Sequence, residues 1–328
     1  MNTIRIGWIE VLRRPYGETI YAEMAQSILS SQWNVEVINV GYDPYFKILY
    51  PAILWKLCRI RGEKEVWIRN FDSILTMPYD HIKGKNIALI HHIDPTIQPF
   101  YQKPIFSALE RAFYRNLQNV DGIITVSKFW QNHFQNMGFS PVYVIYNGFD
   151  VEKFHFEEQE ILSFKKRFRL EQKPILYIGN CQRIKGVVEV YRSLRGLDCF
   201  LVTSGQRDIH LPVLHLNLDY RDYLLLLKSA SVVITMSKFK EGWNRTAHEA
   251  MLCKTPVIGS GLGGMRELLE GGKQLICERI EDLKEMVRYA LSHPEVGQRG
   301  YEFAKQFSLG RFKMEWINLI KRICEPNK

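Results

Sequence analysis

Glu241-Gly-Trp-Asn-Arg-Thr-Ala-His-Glu-Ala250 is the stretch on which the reading of this chain turns. It holds two glutamates eight positions apart. Gly242 suits a tight turn, and the Ala-Met-Leu that begins at Ala250 suits a helix. The spacing predicts a loop carrying Glu241 and a helix that presents Glu249 two turns further in. Eight residues at about 1.5 Å each span roughly 12 Å. The first helical turn also offers backbone N–H groups able to meet hydroxyls or phosphate oxygens. From spacing alone, a solvated helix with two glutamates is the favoured reading. The next residues, Thr255-Pro-Val-Ile-Gly-Ser-Gly-Leu-Gly-Gly-Met-Arg-Glu-Leu268, read as a short buried strand, a Gly-rich turn and a new helix.

Working outward, short β-branched runs alternate with longer helical patterns along the whole chain, which predicts an α/β protein with parallel sheets. Candidate strands cover 4–9, 35–39, 87–91, 122–126 and 142–146, then 175–179, 199–203, 213–217, 232–236 and 257–260. A helix is predicted near 18–29, with Ile20, Met24 and Ile28 on its apolar face. Charged residues dominate 150–173 and mark a domain boundary. Phe312, Trp316, Ile320 and Ile323 form one helical stripe in the last segment.

Four pieces in this order resemble the retaining nucleotide-sugar glycosyltransferases of the GT-B fold, the glycogen-synthase-like "group 1" family. The first runs from Asp121 to Phe154, D-G-I-I-T-V-S-K-F-W, M-G-F and V-Y-V-I-Y-N-G-F-D-V-E-K-F; the second is I-L-Y-I-G-N-C-Q-R-I-K-G at 175–186. The other two are the stretches quoted above, where Glu241, Glu249, Pro256, Ser260, Gly263, Gly264 and Glu267 match the family's pattern. Trp243 stands for the usual Phe, Asn244 for the family's second Gly, and Lys254 for the Gly before the strand. The resemblance implies two Rossmann-like doubly wound domains facing across a cleft. On this reading residues 1–155 form the acceptor-side domain and 156–310 the nucleotide-sugar domain. Residues 311–328 form a helix crossing back to the first. Ligands in such sheets bind at the carboxyl ends of the strands.

The implied activity is hexosyl transfer from a nucleoside-diphosphate sugar, UDP-, GDP- or ADP-linked, to a saccharide or lipid-linked acceptor, with retention and by a front-face mechanism. No D-x-D occurs in the sequence, so metal independence is expected, with the nucleotide sugar as substrate and no cofactor. Charge growing on the leaving diphosphate must then be met by cations and backbone dipoles. The resemblance gives Lys185 and Arg183 that task, with Arg183 displaced from the family position, where Asn180 stands. It gives Glu249 the ribose hydroxyls and Glu241 the transferred hexose, with Gly242, Trp243 and Asn244 adding backbone donors. Arg245 lies outside the pattern and reads either as a phosphate contact or, more simply, as a residue solvating its helix. In the first domain the resemblance places His91 near donor sugar and acceptor, with His92 next in line, and gives Gly17 a close approach to the donor phosphate. A buried structural histidine and an unliganded helix-entry glycine are the bland readings of these two. Ser127 reads as an N-cap. A sugar-nucleotide epimerase, a phosphorylase or a non-catalytic sugar-nucleotide-binding module would share the fold.

Composition narrows the classes. The 328 residues are 46% hydrophobic and 24% charged, as in ordinary globular proteins. Six scattered cysteines with no C-x-x-C pair predict reduced thiols and a cytoplasmic setting. No signal peptide and no membrane span is expected. The net charge of +9 favours anionic partners, and nucleic acid is disfavoured because no binding motif accompanies it. Tyr42 to Arg69 departs most from any pattern. Its apolar run from Pro51 to Arg61 carries Trp55, Lys56, Arg59 and Arg61 after Tyr45, Phe46 and Tyr50. That mixture reads either as a core helix with charged ends or as a helix lying on an anionic membrane surface, possible docking that would hold the enzyme peripheral to the inner face of a membrane.

Overall fold

The computed structural model describes residues 4–11, 17–41, 46–93 and 103–325. The chain divides into two compact units, one formed by Met1–Gly148 with Gly310–Lys328 and the other by Phe149–Leu309. In the first unit β1 (Arg5–Val11), α1 (Gly17–Ser30), β2 (Asn34–Val40), α2 (Phe46–Leu57), β3 (Arg61–Arg69), α3 (Phe71–Leu75) and β4 (His81–Leu89) follow one another. Then come α4 (Lys103–Leu117), β5 (Gly122–Thr125), α5 (Lys128–Asn136) and β6 (Val142–Val144). In the second unit α6 (Glu158–Phe168), β7 (Ile175–Asn180), α7 (Val187–Leu194), β8 (Phe200–Ser204), β9 (Leu214–Leu216), α8 (Tyr220–Ser229) and β10 (Val232–Thr235) come first. α9 (Arg245–Leu252), β11 (Val257–Gly259), α10 (Gly264–Gly271), β12 (Leu275–Ile276), α11 (Leu283–Ser292) and α12 (Glu295–Ala304) complete it before the last helix, α13 (Leu309–Cys324).

Each unit is a six-stranded parallel sheet with helices on it. The first has the order β2-β1-β3-β4-β5-β6 and the second β12-β11-β10-β7-β8-β9. Strands buried on both faces need near-continuous apolar runs, and Ile6, Trp8, Ile9, Ile87, Ile123 and Ile124 supply them in the first sheet, Leu176, Ile178, Val232, Ile234 and Ile258 in the second. The stripe predicted for the final helix is buried at Phe312, Trp316, Ile320 and Ile323. Trp316 meets Trp8 at 5.6 Å between ring centroids, and Phe312 meets Tyr21 edge-on at 5.0 Å, so this helix is part of the first unit's core.

The structure corrects several expectations. α1 buries Tyr21, Ala22, Ala25 and Leu29 rather than Ile20, Met24 and Ile28. Ile20 is 38% exposed, because the small Ala22 and Ala25 let the opposite edge of the helix come closest to the sheet. Residues 61–69, left without a strand in the sequence reading, form β3, and β4 begins at His81 rather than at 87. Both extend through a charged, exposed half paired from Arg61↔His81, which hydrophobic runs do not reveal. Arg69 in β3 is buried beside Asp80 at 2.7 Å and donates to Asn86 and the Ser73 carbonyl, a buried charge satisfied on every side. β12 was also missed. Ser127 caps α5, accepting from the Trp130 N–H. All six cysteines are free thiols.

Candidate active site

In the second sheet β7 lies between β8, which follows it in sequence, and β10, which arrives from a later crossover. The chain therefore leaves β7 and β10 in opposite directions, and the loops after these two strands border the crevice where parallel sheets of this kind take ligands. Lys185 sits in the first loop, in a single turn of 3-10 helix spanning Arg183–Lys185. Glu241 sits in the second, between β10 and α9.

These loops are tied together by backbone. Lys238 N–H donates to the Ile184 carbonyl at 3.0 Å. Gly186 has φ +72°, and a Cβ there would stand 2.1 Å from the Met236 carbonyl oxygen, so the residue after Lys185 must be glycine for the loops to touch. The Gly-rich turn after β11 clamps Glu241 from the other side. Glu241 N–H donates to the Leu262 carbonyl, and Gly264 N–H donates to the Glu241 carbonyl at 2.8 Å. Gly263, at φ +69°, has room for no side chain, since a Cβ would fall 2.4 Å from that same carbonyl oxygen. The two motifs read separately in the sequence thus form one bracket around Glu241.

The side chains converge as well. Lys185 Nζ lies 2.7 Å from Glu241 Oε1 and 4.7 Å from the centre of the Phe239 ring. Ser237 Oγ and Asn244 Nδ2 donate to the same carboxylate oxygen. Glu241 is 6% exposed and so nearly dry, whereas the Lys185 side chain keeps 30% of its surface in solvent. An ammonium has three protons to donate, so Lys185 can hold Glu241 and still present donors to an incoming oxyanion. Arg183 is exposed on the same turn.

α9 begins at Arg245, capped by Asn244, whose Oδ1 accepts from the Ala247 N–H at 2.8 Å. Glu249 is therefore little more than one turn into the helix, not two, and the rise from Arg245 is only about 6 Å. It is 4% exposed. Oε1 accepts from Tyr220 Oη and Arg245 Nη2, both at 3.3 Å, and Oε2 from Tyr223 Oη at 3.2 Å. Burial pushes the Glu249 carboxyl up from its ordinary range, and the Arg245 guanidinium and the two tyrosine hydroxyls pull it back. Burial also raises both tyrosines, which keeps them protonated donors.

One expectation is corrected here. Arg245 does not solvate its helix: it pairs with Glu249 and lies 4.6 Å over the Phe149 ring. The Trp243 side chain is core, 6% exposed, with its Nε1 donating to His248 Nδ1 at 3.0 Å and its ring 5.4 Å from Phe307. His248, which the sequence reading passed over, carries its proton on Nε2 toward the Ala304 carbonyl at 3.1 Å.

In the first unit the His91 ring meets Tyr21 edge-on at 4.7 Å, and His92 Nδ1 lies 3.3 Å from Glu18. Gly17 is the exposed first residue of α1, so the structure brings the start of that helix and the end of β4 together. Arg13, Arg14, Pro15, Tyr16 and Asp94, like Tyr42 and Tyr45, lie outside the described residues. Among the described residues no group of three or more His, Cys, Asp or Glu is arranged to hold a metal ion. Sequence reasoning missed Ser237, Tyr220 and Tyr223. The only available signal was the Tyr-x-x-Tyr spacing, which puts both rings on one side of a helix.

Comparison with known proteins extends this picture. Residues 24–153 match the model of Glycosyltransferase Family 4, and residues 158–307 that of Glycosyl transferases group 1. An uncharacterized glycosyltransferase of Methanocaldococcus jannaschii is 26% identical over 58% of this chain and 56% of its own length. A Bacillus subtilis protein, TuaC, provisionally named as a teichuronic acid biosynthesis glycosyltransferase, is 24% identical over 69% of this chain and 61% of its own. The chain thus spans less than two thirds of either relative. The structure of Anabaena HepE in complex with UDP-glucose superposes with a TM-score of 0.76 at 14% identity, covering 97% of this chain and all of that one.

Proposed function

The chain belongs to the group 1 glycosyltransferases of the GT-B fold, and from that premise we propose that it moves a hexose from a nucleoside diphosphate to a saccharide or lipid-linked acceptor, with retention and without a metal ion. The observation that carries this reading is the Lys185–Glu241 pair at the crevice between β7 and β10, with the buried Glu249 carboxylate behind it. Glu249 takes the ribose hydroxyls, Glu241 those of the hexose, and Lys185 with Arg183 holds the diphosphate. The anomeric C–O bond to the phosphate breaks as the acceptor oxygen bonds to the same carbon from the same face. The acceptor proton passes to the leaving phosphate oxygen, whose growing charge Lys185 meets. HepE, of the same fold, binds UDP-glucose, which supports a nucleotide sugar as donor.

For the acceptor we propose a lipid-linked or glycolipid molecule at an anionic membrane surface, reached through α2. A diacylglycerol glucosyltransferase of Acholeplasma laidlawii, 30% identical over 34% of this chain, supports the class. Among the described residues no helix is long and apolar enough to cross a membrane. Incubation with radiolabelled UDP-, GDP- and ADP-sugars tests the reading. One donor should lose its sugar to acceptor or water, and proton NMR should show an α-linked product from an α-donor. An isomerised donor would mean an epimerase instead, and a β-linked product would contradict retention.

A further inference from the structure

Both oxygens of a buried carboxylate must be satisfied when no ligand is present, because a dry, unpartnered charge is costly. Glu249 meets this need with Arg245, which shares Oε1 with Tyr220, and with two tyrosines that differ in how they are held. Tyr223 is pinned: its ring packs edge-on against Tyr177 at 6.2 Å, and its hydroxyl also reaches Thr246 Oγ1 at 3.3 Å. Tyr220 is the first residue of α8 and is 46% exposed, with its hydroxyl on Glu249 and one face of its ring toward Tyr223 at 6.3 Å. Its ring can turn into solvent by rotation about its side-chain bonds, with the helix left intact by the Asp219 cap, whose Oδ1 accepts from the Asp222 N–H at 2.8 Å.

We propose that the Tyr220 hydroxyl is a removable stand-in for a ribose hydroxyl on Glu249, exchanged out when the nucleotide binds, while Tyr223 stays and positions the carboxylate. This rests on the ribose role of Glu249 given above. The phenol then competes with the donor for one acceptor oxygen, so it sets nucleotide affinity and keeps the site closed to ligands that cannot replace its hydrogen bond. Tyr223 acts through Glu249 and is a positioning residue.

Calorimetric titration with UDP, GDP and ADP, followed by the 2′-deoxy form of whichever binds, tests this on the full chain. Tyr220→Phe keeps the ring and removes the competitor, so the ribonucleotide should bind about three- to ten-fold more tightly. Tyr223→Phe should bind it more weakly, and its discrimination against the 2′-deoxy form should shrink. Unchanged or weaker ribonucleotide binding by Tyr220→Phe, with a melting curve matching the parent's cooperativity, overturns the exchange. Glu249→Gln separates the two ideas. If it abolishes discrimination against the 2′-deoxy form while Tyr220→Phe has no effect, the ribose role stands and the exchange falls. If discrimination is untouched in Glu249→Gln, or none of the three nucleotides binds, both fall.

Discussion

Lys185 and Glu241 are 56 positions apart in sequence and 2.7 Å apart in the fold, and each was legible from its own motif. What could not be read was that they meet, since an ion pair between two loops depends on where Gly186 and Gly263 allow backbone to touch backbone. The place of the Trp243 side chain was not legible either. An aromatic next to a loop glycine serves as ligand wall or as core, and only its acceptor five residues on, His248, decides for core. That histidine leads to a prediction. Burial among Phe149, Trp243 and Phe307 holds its imidazole neutral and lowers its pKa to about 3. The unfolded chain takes up the proton near the ordinary value, so the stabilisation is complete above about pH 6.5 and is lost as pH falls toward 3, by up to about 1.4 kcal/mol per unit. Thermal midpoints followed from about pH 6.5 to about pH 4 should fall more steeply for the parent than for His248→Gln. Parallel slopes would assign the acid sensitivity elsewhere.

Elements were legible where one physical signal dominated. Strands buried on both faces announced themselves by β-branched runs, and α13 by its stripe at helical spacing. β3 did not, because Arg61 to Glu65 stay exposed or half-exposed and the buried end is only Val66, Trp67 and Ile68 followed by the charged Arg69. α1 was read with the right period and the wrong face, since apolar bulk outweighed the close packing that alanine permits. For α2 the sequence left two readings, a core helix and a helix on a membrane surface. Ile53 and Leu57 are buried, whereas Trp55 is 56% exposed with the Arg59 guanidinium 4.2 Å over its ring. An exposed indole beside basic stems is suited to the headgroup layer of an anionic bilayer. In liposome co-sedimentation, binding should rise with the anionic lipid fraction and drop in Lys56→Glu/Arg59→Glu. Sedimentation indifferent to lipid charge would leave a saccharide in solution as the acceptor.

For the molecule as a whole, the succession of motifs carried the family, and the two family models divide the chain between residues 153 and 158. Donor base and sugar were not legible, because no motif in the sequence is specific to one base or one sugar. Net charge pointed to anionic ligands without saying where, and the crevice supplies the place: one lysine ammonium with an exposed arginine two residues away, over a carboxylate the protein keeps dry. The central claim is that this ammonium stabilises the leaving diphosphate as the sugar departs. A group that acts on charge developed in the transition state lowers kcat when removed and leaves ground-state binding largely in place. The most direct measurement is steady-state turnover of the preferred nucleotide sugar by Lys185→Ala. The account predicts a kcat lowered about 100-fold or more with donor KM changed less than about five-fold. Turnover equal to the parent's would contradict it.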